Sequence, residues 1–440
     1  MTTSPSAPQS AGRQPTDPDG KRLRRVALAS LVGTSIEWFD FYIYGLAAIT
    51  VFAPQFFPGA SPLAATLAAF GTFAVGFVAR PIGGVLFGHL GDRIGRKNTL
   101  VATLLTMGGA TFLIGVLPNY AAIGVAAPIL LVLMRVLQGF AVGGEWGGAV
   151  LISVEHAPDG RRGFYGSFPQ LGVPIGLVAS NAIFLLVSAA LPAEDFLSWG
   201  WRIPFLLSAV LVGVGLWVRL KVEESPEFVA APRAGSMRLP IATVLRNHFP
   251  QVLCGIALFG GITAVGYMAA TFTIQYGTSQ LGLSRTALIA VVLVVSVLEI
   301  PLILWVSSVS DRWGHARTIA FGALATAVAA AAFLPLLASA SILLIALAVA
   351  GTRWLSAPMW GPSAALAASC YPPEVRYSGS SVGYQLGSIF GGALAPILTT
   401  LLLASPAGLA GASAYLVGMV VLSGAGALAA QRLSRRAPSP

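Results

Sequence analysis

Charged residues in this sequence are gathered into short clusters, and apolar stretches of roughly twenty residues separate these clusters. Of the 440 residues, 56% are hydrophobic and only 10% are charged, which leaves too little polar surface for a soluble globule of this size. A stretch of that length crosses a bilayer as a helix, whereas the strands of a barrel give short alternating segments. The fold class predicted is therefore an all-α integral membrane protein.

Twelve membrane-spanning helices are predicted from the apolar stretches. They lie at 26–53, 62–90, 98–117, 122–154, 163–190, 201–221, 248–276, 284–309, 316–337, 341–370, 377–402 and 408–431. Lys and Arg concentrate on alternate connections, which by the positive-inside rule places both termini in the cytoplasm. The predicted organisation is a disordered tail at 1–25, a six-helix bundle at 26–221, a cytoplasmic linker at 222–247, a second bundle at 248–431 and a tail at 432–440.

Two pairs of similar segments indicate an internal duplication. The run GHLGDRIGRK, from Gly88 to Lys97, follows predicted span two, and a weaker copy, SDRWGHAR at 310–317, follows span eight about half a chain later. Related segments that begin at Arg161 and Arg376 place Gln170 and Gln385 at equivalent points of spans five and eleven. Repeats of this kind place a substrate site where the two halves face each other.

Several function classes are disfavoured by the same sequence. The net charge of +10 is explained by cations at helix ends, so no nucleic-acid partner is expected. Cys254 and Cys370 are far apart in apolar surroundings and predict neither a disulfide framework nor a metal site. Phosphate loops, nucleophile elbows and metal-spaced clusters are not found in the sequence. An enzyme, a cofactor and an intrinsic ATP-driven pump are therefore not expected.

Two motifs carry a resemblance to a known superfamily. The run from Gly88 to Lys97 resembles the loop motif of the major facilitator superfamily, and R-x-x-Q-G-x-x-x-G, from Arg135 to Gly143, resembles its fourth-span motif. The resemblance covers essentially the whole chain. It implies two pseudo-symmetric six-helix bundles that move a small molecule by alternating access.

Four further segments narrow the resemblance to one family. They are EWFDF from Glu37, RPIGG from Arg80, GGEWGG from Gly143 and WGWRIPF from Trp199. Together they are similar to the metabolite:proton symporter family, which takes up organic acids and zwitterions such as shikimate, 2-oxoglutarate, citrate, proline and betaine. Membership implies a multi-pass protein of a bacterial-type cytoplasmic membrane, acting as a monomer with protons as the coupling ion. The stretch 140–158 most resembles the shikimate-type members.

Seven charged residues lie inside the predicted spans. These are Glu37, Asp40, Glu145, Glu299, Arg80, Arg135 and Arg353. Facing lipid, each would cost about 2.5 to 3.5 kcal/mol on insertion scales. Each is therefore expected to face another helix or an aqueous cavity, either as part of a transport pathway or as one of a pair that locks two helices together.

Asp40 is the predicted proton carrier, and Arg135 is its predicted partner. The helical rise places the two residues at similar depths in antiparallel spans one and four, so an ion pair is feasible. The resemblance implies the same roles, because related sugar:proton symporters have an acid and an arginine at these motif positions. Movement of the guanidinium would change the proton affinity of the carboxyl. A static structural pair is the alternative.

Glu37 and Glu145 complete the predicted proton-coupling set. Glu37 shares a helix face with Asp40 and is assigned either a relay or a structural role. Glu145 is flanked by glycines that allow a neighbouring helix to approach closely. In such a contact Glu145 is expected to pair with Arg80.

An anionic substrate requires a fixed cation near the midplane, and Arg353 is the candidate because a guanidinium binds a carboxylate through two parallel hydrogen bonds. Its alternative partner is Glu299 on span eight, which also belongs to the predicted substrate-binding set. The other predicted substrate-binding residues are neutral or aromatic: Tyr44, Gln138, Gln170, Trp354, Tyr384 and Gln385.

A cytoplasmic gate is implied by the superfamily resemblance. It comprises Asp92, Arg93 and Arg96 between spans two and three, and Asp311, Arg312 and Arg317 between spans eight and nine. These residues are expected to hold the two halves together on the cytoplasmic side in the outward-open state.

The sequence thus predicts a proton-coupled symporter that imports a small organic acid, such as shikimate or a mono- or dicarboxylate. The alternatives are a symporter of zwitterions such as proline or betaine, a proton-coupled efflux antiporter and a transport-inactive nutrient receptor.

Overall fold

The computed structural model describes residues 18–59, 61–94, 96–220, 240–372 and 375–436, and the regular secondary structure within these ranges is entirely helical. Twelve helical segments match the predicted spans. They are α1 Val26–Phe56, α2 Pro62–Ile94, α3 Arg96–Val116, α4 Ala126–Glu155, α5 Arg162–Ala190, α6 Arg202–Leu220, α7 Phe249–Ser279, α8 Arg285–Trp313, α9 His315–Ala338, α10 Ile342–Ser369, α11 Arg376–Leu403 and α12 Gly408–Arg435.

Ten of these segments are long and apolar enough to cross a membrane, and α2 and α3 contain shorter apolar helices at Gly71–Phe87 and Val101–Val116. The first helix begins before α1, at Pro18, and a short helix at Pro240–Asn247 precedes α7. The predicted tail at 1–25 and linker at 222–247 lie largely outside the described residues. The predicted division into those domains stays a prediction.

Several spans are irregular at matching positions of the two halves. The π turns Ala48–Phe52 and Met268–Phe272 interrupt α1 and α7. The α-helical pattern of α4 is broken after Gly143, and that of α10 is broken after Trp360. In a repeat of six helices, α1 corresponds to α7 and α4 corresponds to α10. The irregularities therefore lie at equivalent positions, as expected from the duplication that the motifs indicate.

Close packing of α2 on α4 fixes the position of the charged residues on both helices. A Cβ added to Gly143 would lie 2.7 Å from the backbone nitrogen of Gly84. Only glycine allows backbones to approach so closely. Elsewhere, α1 packs on α5, α3 packs on α6, and in the second half α9 and α7 both pack on α12.

The two halves contact each other at one end of the bundle and near its centre. One end, called the motif end, carries the α2–α3 and α8–α9 connections, and there α5 packs against α8. Near the centre, the ring of Phe77 on α2 lies 5.4 Å from the ring of Tyr267 on α7.

Candidate functional site

A continuous chain of hydrogen bonds connects Asp40 on α1 to Arg135 on α4. Thr111 on α3 shares its hydroxyl proton between Asp40 Oδ2 and the Met107 carbonyl, each over 2.9 Å, and Gln138 Nε2 donates to Thr111 Oγ1 over 2.6 Å. Arg135 Nη1 in turn donates to Gln138 Oε1 over 2.8 Å. All four side chains are at most 1% exposed. The structure thus places Asp40 and Arg135 in one cluster, connected through two neutral side chains rather than through the direct ion pair considered from the sequence.

Aromatic rings surround the Arg135 guanidinium. Its central carbon lies 3.9 Å from the ring centroid of Tyr44 and 4.4 Å from that of Phe41. Nη2 donates to the carbonyl of Phe73 over 3.3 Å, and the Tyr44 hydroxyl donates to Thr72 over 2.8 Å. Cation–π contacts of this kind stabilise a desolvated guanidinium. Tyr44 and Gln138, predicted to bind substrate, therefore lie against Arg135 in this conformation.

Glu145 forms an ion pair with Arg219 on α6. The side chains are 3% and 11% exposed, so the pair is largely withdrawn from solvent. The prediction that Glu145 pairs with Arg80 is wrong. Glu145 faces α1, where its Oε1 atom lies 3.2 Å from the Cβ position of Gly33, and Arg219 in the last turn of α6 contacts it there. Glu37 is also buried, and its Oε2 atom has no hydrogen-bond partner among the described residues.

A small cavity of about 30 Å³ lies between the halves. Arg353 and Glu299 line it from the second half, and Trp38 and Tyr42 line it from α1. Arg353 Nε donates to Glu299 Oε2 over 2.7 Å, and a second nitrogen contacts the same oxygen. The alternative partner anticipated for Arg353 is thus the one it has. The volume admits roughly two waters, so a metabolite can enter only when the halves separate.

Gln170 and Gln385, the equivalent glutamines of the repeat, make equivalent contacts across the interface. Gln170 on α5 donates to the Trp360 carbonyl over 3.3 Å and to Ser363 over 3.0 Å, where α10 is broken. Gln385 on α11 donates to the Gly143 carbonyl over 3.3 Å, where α4 is broken. Each glutamine therefore donates a hydrogen bond to a backbone carbonyl at the helix break in the opposite half. Neither glutamine lines the cavity.

The two remaining aromatic candidates differ in their surroundings. Tyr384 is buried, and its ring stacks on Trp146 of α4 with centroids 4.1 Å apart and an interplanar angle of 9°. Trp354 donates its indole N–H to the Val295 carbonyl over 3.0 Å and joins α10 to α8. Tyr384 thus lies at the interface of the halves, and Trp354 lies within the second half.

Asp311 spans the halves at the motif end. Its carboxylate accepts hydrogen bonds from the backbone nitrogens of Gly163, over 2.7 Å, and Phe164, over 3.0 Å. These N–H groups belong to the first turn of α5, which favours an anion. Arg312 and Arg317 are exposed. The side chains of Asp92, Arg93 and Arg96 lie outside the described residues, so their part in the predicted gate stays a prediction.

Several residues of the site are absent from the sequence-based selection. Thr111 is a hydroxyl residue within an apolar span, and its polarity is the only feature in the sequence that distinguishes it from its neighbours. In the sequence, Arg219 lies next to the basic segment before the linker, and nothing there indicates a buried partner. Trp38, Tyr42 and Tyr267 line the cavity, but aromatic residues are common in packed helices. Within the described residues, no group of three or more His, Cys, Asp or Glu is placed to hold a metal ion.

Comparison with known proteins agrees with this architecture. The sequence model of the Major Facilitator Superfamily matches residues 30–396. The chain is 43% identical to the inner membrane metabolite transport protein YhjE of Escherichia coli K12, over 91% of this chain and 92% of that one. It is 42% identical to the shikimate transporter of the same organism, over 88% and 89% of the two chains.

A more distant relative and a solved structure complete the comparison. The proline/betaine transporter of Salmonella typhimurium is 34% identical, over 92% of this chain and 82% of its own length. The proton:xylose symporter XylE, in its complex with 6-bromo-6-deoxy-D-glucose, superposes with a TM-score of 0.72 over 96% of this chain and 97% of its own, at 15% identity. That likeness shows a shared fold.

Proposed function

The chain belongs to the Major Facilitator Superfamily, and from this premise we propose that it couples inward proton flow to the uptake of a small organic acid across a bacterial inner membrane. As a member of that superfamily it is a multi-pass membrane transporter and not an enzyme. Superfamily membership does not specify the coupling ion, the direction of transport, the substrate class or the side of the termini. We propose protons, uptake, an organic acid and cytoplasmic termini, with a monomer as the transporting unit.

The observation that carries proton coupling is the buried chain from Asp40 to Arg135. A carboxylate withdrawn from water is costly unless it is paired or protonated. Asp40 receives one hydrogen bond, from Thr111, and its Oδ1 atom has no hydrogen-bond partner within the described part of the chain. The Arg135 guanidinium lies beyond Thr111 and a second neutral side chain, Gln138. A rearrangement that brings Arg135 to Asp40 or withdraws it would change the proton affinity of the carboxyl, and alternating access supplies such a rearrangement.

The substrate class is supported by the charge of the central region and by the relatives. Arg353 lies at the cavity, and a second buried arginine, Arg80, lies on α2. Fixed guanidinium groups favour a carboxylate. Identity to the shikimate transporter is 42%, compared with 34% for the proline/betaine transporter. An organic acid of the shikimate type is therefore the first candidate, and a zwitterion such as proline or betaine is the second.

The test is transport by purified protein in proteoliposomes. Counterflow with a panel of shikimate, dicarboxylates, aromatic acids, proline and betaine identifies the substrate class. Accumulation under an imposed inwardly directed proton gradient then tests coupling. We expect counterflow of an organic acid and gradient-driven accumulation of the same acid. Movement of the substrate against the proton flow would identify efflux instead, and binding without flux would identify a receptor.

A further inference from the structure

Arg80 is a buried cation without a conventional partner. It is 0% exposed, and none of its three guanidinium nitrogens has a hydrogen-bond partner among the described residues. Its central carbon lies 4.2 Å from the ring centroid of Phe41 and 4.4 Å from that of Phe77. Rings attract the charge but leave the N–H groups unsatisfied. A buried charge left in this state costs several kcal/mol, so the arrangement calls for an explanation.

Two tyrosine hydroxyls near Arg80 are also unsatisfied. Tyr384 on α11 and Tyr267 on α7 are fully buried or nearly so, and neither hydroxyl has a hydrogen-bond partner within the described residues. Both lie close enough to Arg80 to interact with its charge. One guanidinium from the first half and two hydroxyls from the second half therefore lie near one another, and all of them can donate hydrogen bonds.

The second arginine of the central region is already neutralised. Arg353 contacts Glu299 through two nitrogens, whereas the guanidinium of Arg80 has no acidic hydrogen-bond partner among the described residues and interacts with the neutral hydroxyl of Tyr384. Glu37 interacts with Arg80 by charge, but its Oε2 atom has no hydrogen-bond partner in the described part of the chain. Arg80 consequently keeps the capacity for a bidentate interaction with an incoming anion.

We infer that Arg80 receives the carboxylate of the transported acid and that the hydroxyls of Tyr384 and Tyr267 complete its coordination. This inference rests on the proposed function and assigns the substrate anchor to α2 rather than to Arg353. Trp38 and Tyr267 line the central cavity and also lie beside Arg80, so the cavity and the arginine are neighbours. An acid with a flat, unsaturated ring fits the aromatic surroundings.

The position of these donors also explains how binding brings the halves together. A carboxylate held by Arg80 from α2 and by Tyr384 and Tyr267 from the second half connects the two bundles. A ligand favours a conformation in proportion to its differential affinity for it. Bound acid therefore favours the closed arrangement, in which all three donors face the same oxygen atoms.

The experiment compares shikimate with its neutral methyl ester on the purified full-length chain, by isothermal titration calorimetry. The two probes differ only at the carboxyl group, where the ester replaces a charged oxygen by a neutral methoxy group. We expect the wild type to bind shikimate at least about tenfold more tightly than the ester, because a hydrogen bond to a charged group contributes that much. Arg80→Gln should abolish this preference, and Arg80→Lys should leave part of it. Arg246→Gln, at an exposed arginine, is the matched control and should keep it.

A second variant covers the case in which Arg80→Gln fails to fold. Tyr384→Phe removes only the hydroxyl and keeps the ring stacked on Trp146, and it should weaken shikimate binding several-fold while leaving ester binding unchanged. An unchanged preference in Arg80→Gln, an unchanged affinity in Tyr384→Phe, or a wild type without preference overturns the inference. Gradient-driven uptake by the wild type tests the proposed function separately, because binding selectivity can persist in a chain that does not transport.

Discussion

Asp40 and Arg135 lie in one buried cluster, yet Thr111 and Gln138 stand between the carboxylate and the guanidinium. Thr111 donates to Asp40, and Gln138 accepts from Arg135 while donating to Thr111. Since each link is a neutral hydrogen-bonding group, a small shift of α4 relative to α1 changes how strongly the cation acts on the acid. In the proposed function, proton coupling therefore uses a relay that the two charged residues alone do not provide.

The relay predicts an effect of Thr111→Val that a comparable threonine should not show. Valine keeps the shape of the side chain and removes the hydroxyl that contacts Asp40, Gln138 and the Met107 carbonyl. Loss of the link to Asp40 should lower proton-driven accumulation by about fivefold, the equivalent of one hydrogen bond. Thr106→Val on the same helix removes only a bond to the Ala102 carbonyl and should have little effect. Accumulation in proteoliposomes measures both variants. Equal effects of the two substitutions would show that Thr111 has no special role.

The Arg353 and Glu299 pair predicts a substrate-dependent effect of Arg353→Lys. Lysine cannot reproduce the two-nitrogen contact with Glu299, so the Glu299 carboxylate beside the cavity is less well compensated. The apparent KM for shikimate, an anion that this carboxylate repels, should rise, while that for betaine, which also carries a positive charge, should change less. Initial rates of uptake for both compounds provide the measurement, with exposed Arg246→Lys as the control. Unchanged uptake would remove Arg353 from the site.

Asp311→Asn is expected to open the motif end. The substitution weakens two charge-assisted bonds to the first turn of α5, each worth about 1.5 to 3 kcal/mol, and such a change redistributes two conformers. A thiol introduced by Ala365→Cys, buried beside Gly166, should react faster with a maleimide in this variant. Both native cysteines are first replaced by serine. Asp159→Asn, at an exposed pair within one loop, should leave the rate unchanged, and an equal acceleration there would refute the latch.

The buried pair of Glu145 and Arg219 is predicted to stabilise the first half. Glu145→Gln leaves a largely buried guanidinium uncompensated, which should lower the free energy of unfolding by about 3 kcal/mol. The double variant with Arg219→Gln should recover part of the loss. Glu155→Gln, at the more exposed pair with Arg376, should cost about 1 kcal/mol or less. Thermal unfolding in detergent compares the variants, and equal losses at the two sites would contradict the role given to burial.

Much of the fold is predictable from the apolar stretches and the charge clusters that separate them. The helices end close to where the sequence predicts, and the differences have local causes: α8 continues past residue 309 to Trp313 because Gly314, with φ of 92°, is the first residue that terminates it. The equivalence of Gln170 and Gln385 was also predictable, because the repeat fixes their positions. Their actual partners, the backbones at the breaks in α10 and α4, were not.

The pairing of charged residues was the least predictable part of the site. Residue types and depth make Glu145 a partner for Arg80, but the direction of a side chain after a helix break depends on tertiary packing. Glu145 therefore reaches Arg219 on α6, and Arg80 stays free for another role. The role of Thr111 was equally unpredictable, because a single hydroxyl in an apolar span does not indicate which carboxylate it contacts.

Proton-driven accumulation of shikimate by Asp40→Asn, compared with counterflow in the same proteoliposomes, is the most direct test of this account. Asparagine keeps the size and hydrogen-bonding capacity of the side chain but cannot exchange a proton. We predict that counterflow persists, since it requires only alternating access, and that accumulation against a gradient is lost. An Asp40→Asn variant that accumulates substrate as the wild type does would contradict the assignment of Asp40 as the proton carrier.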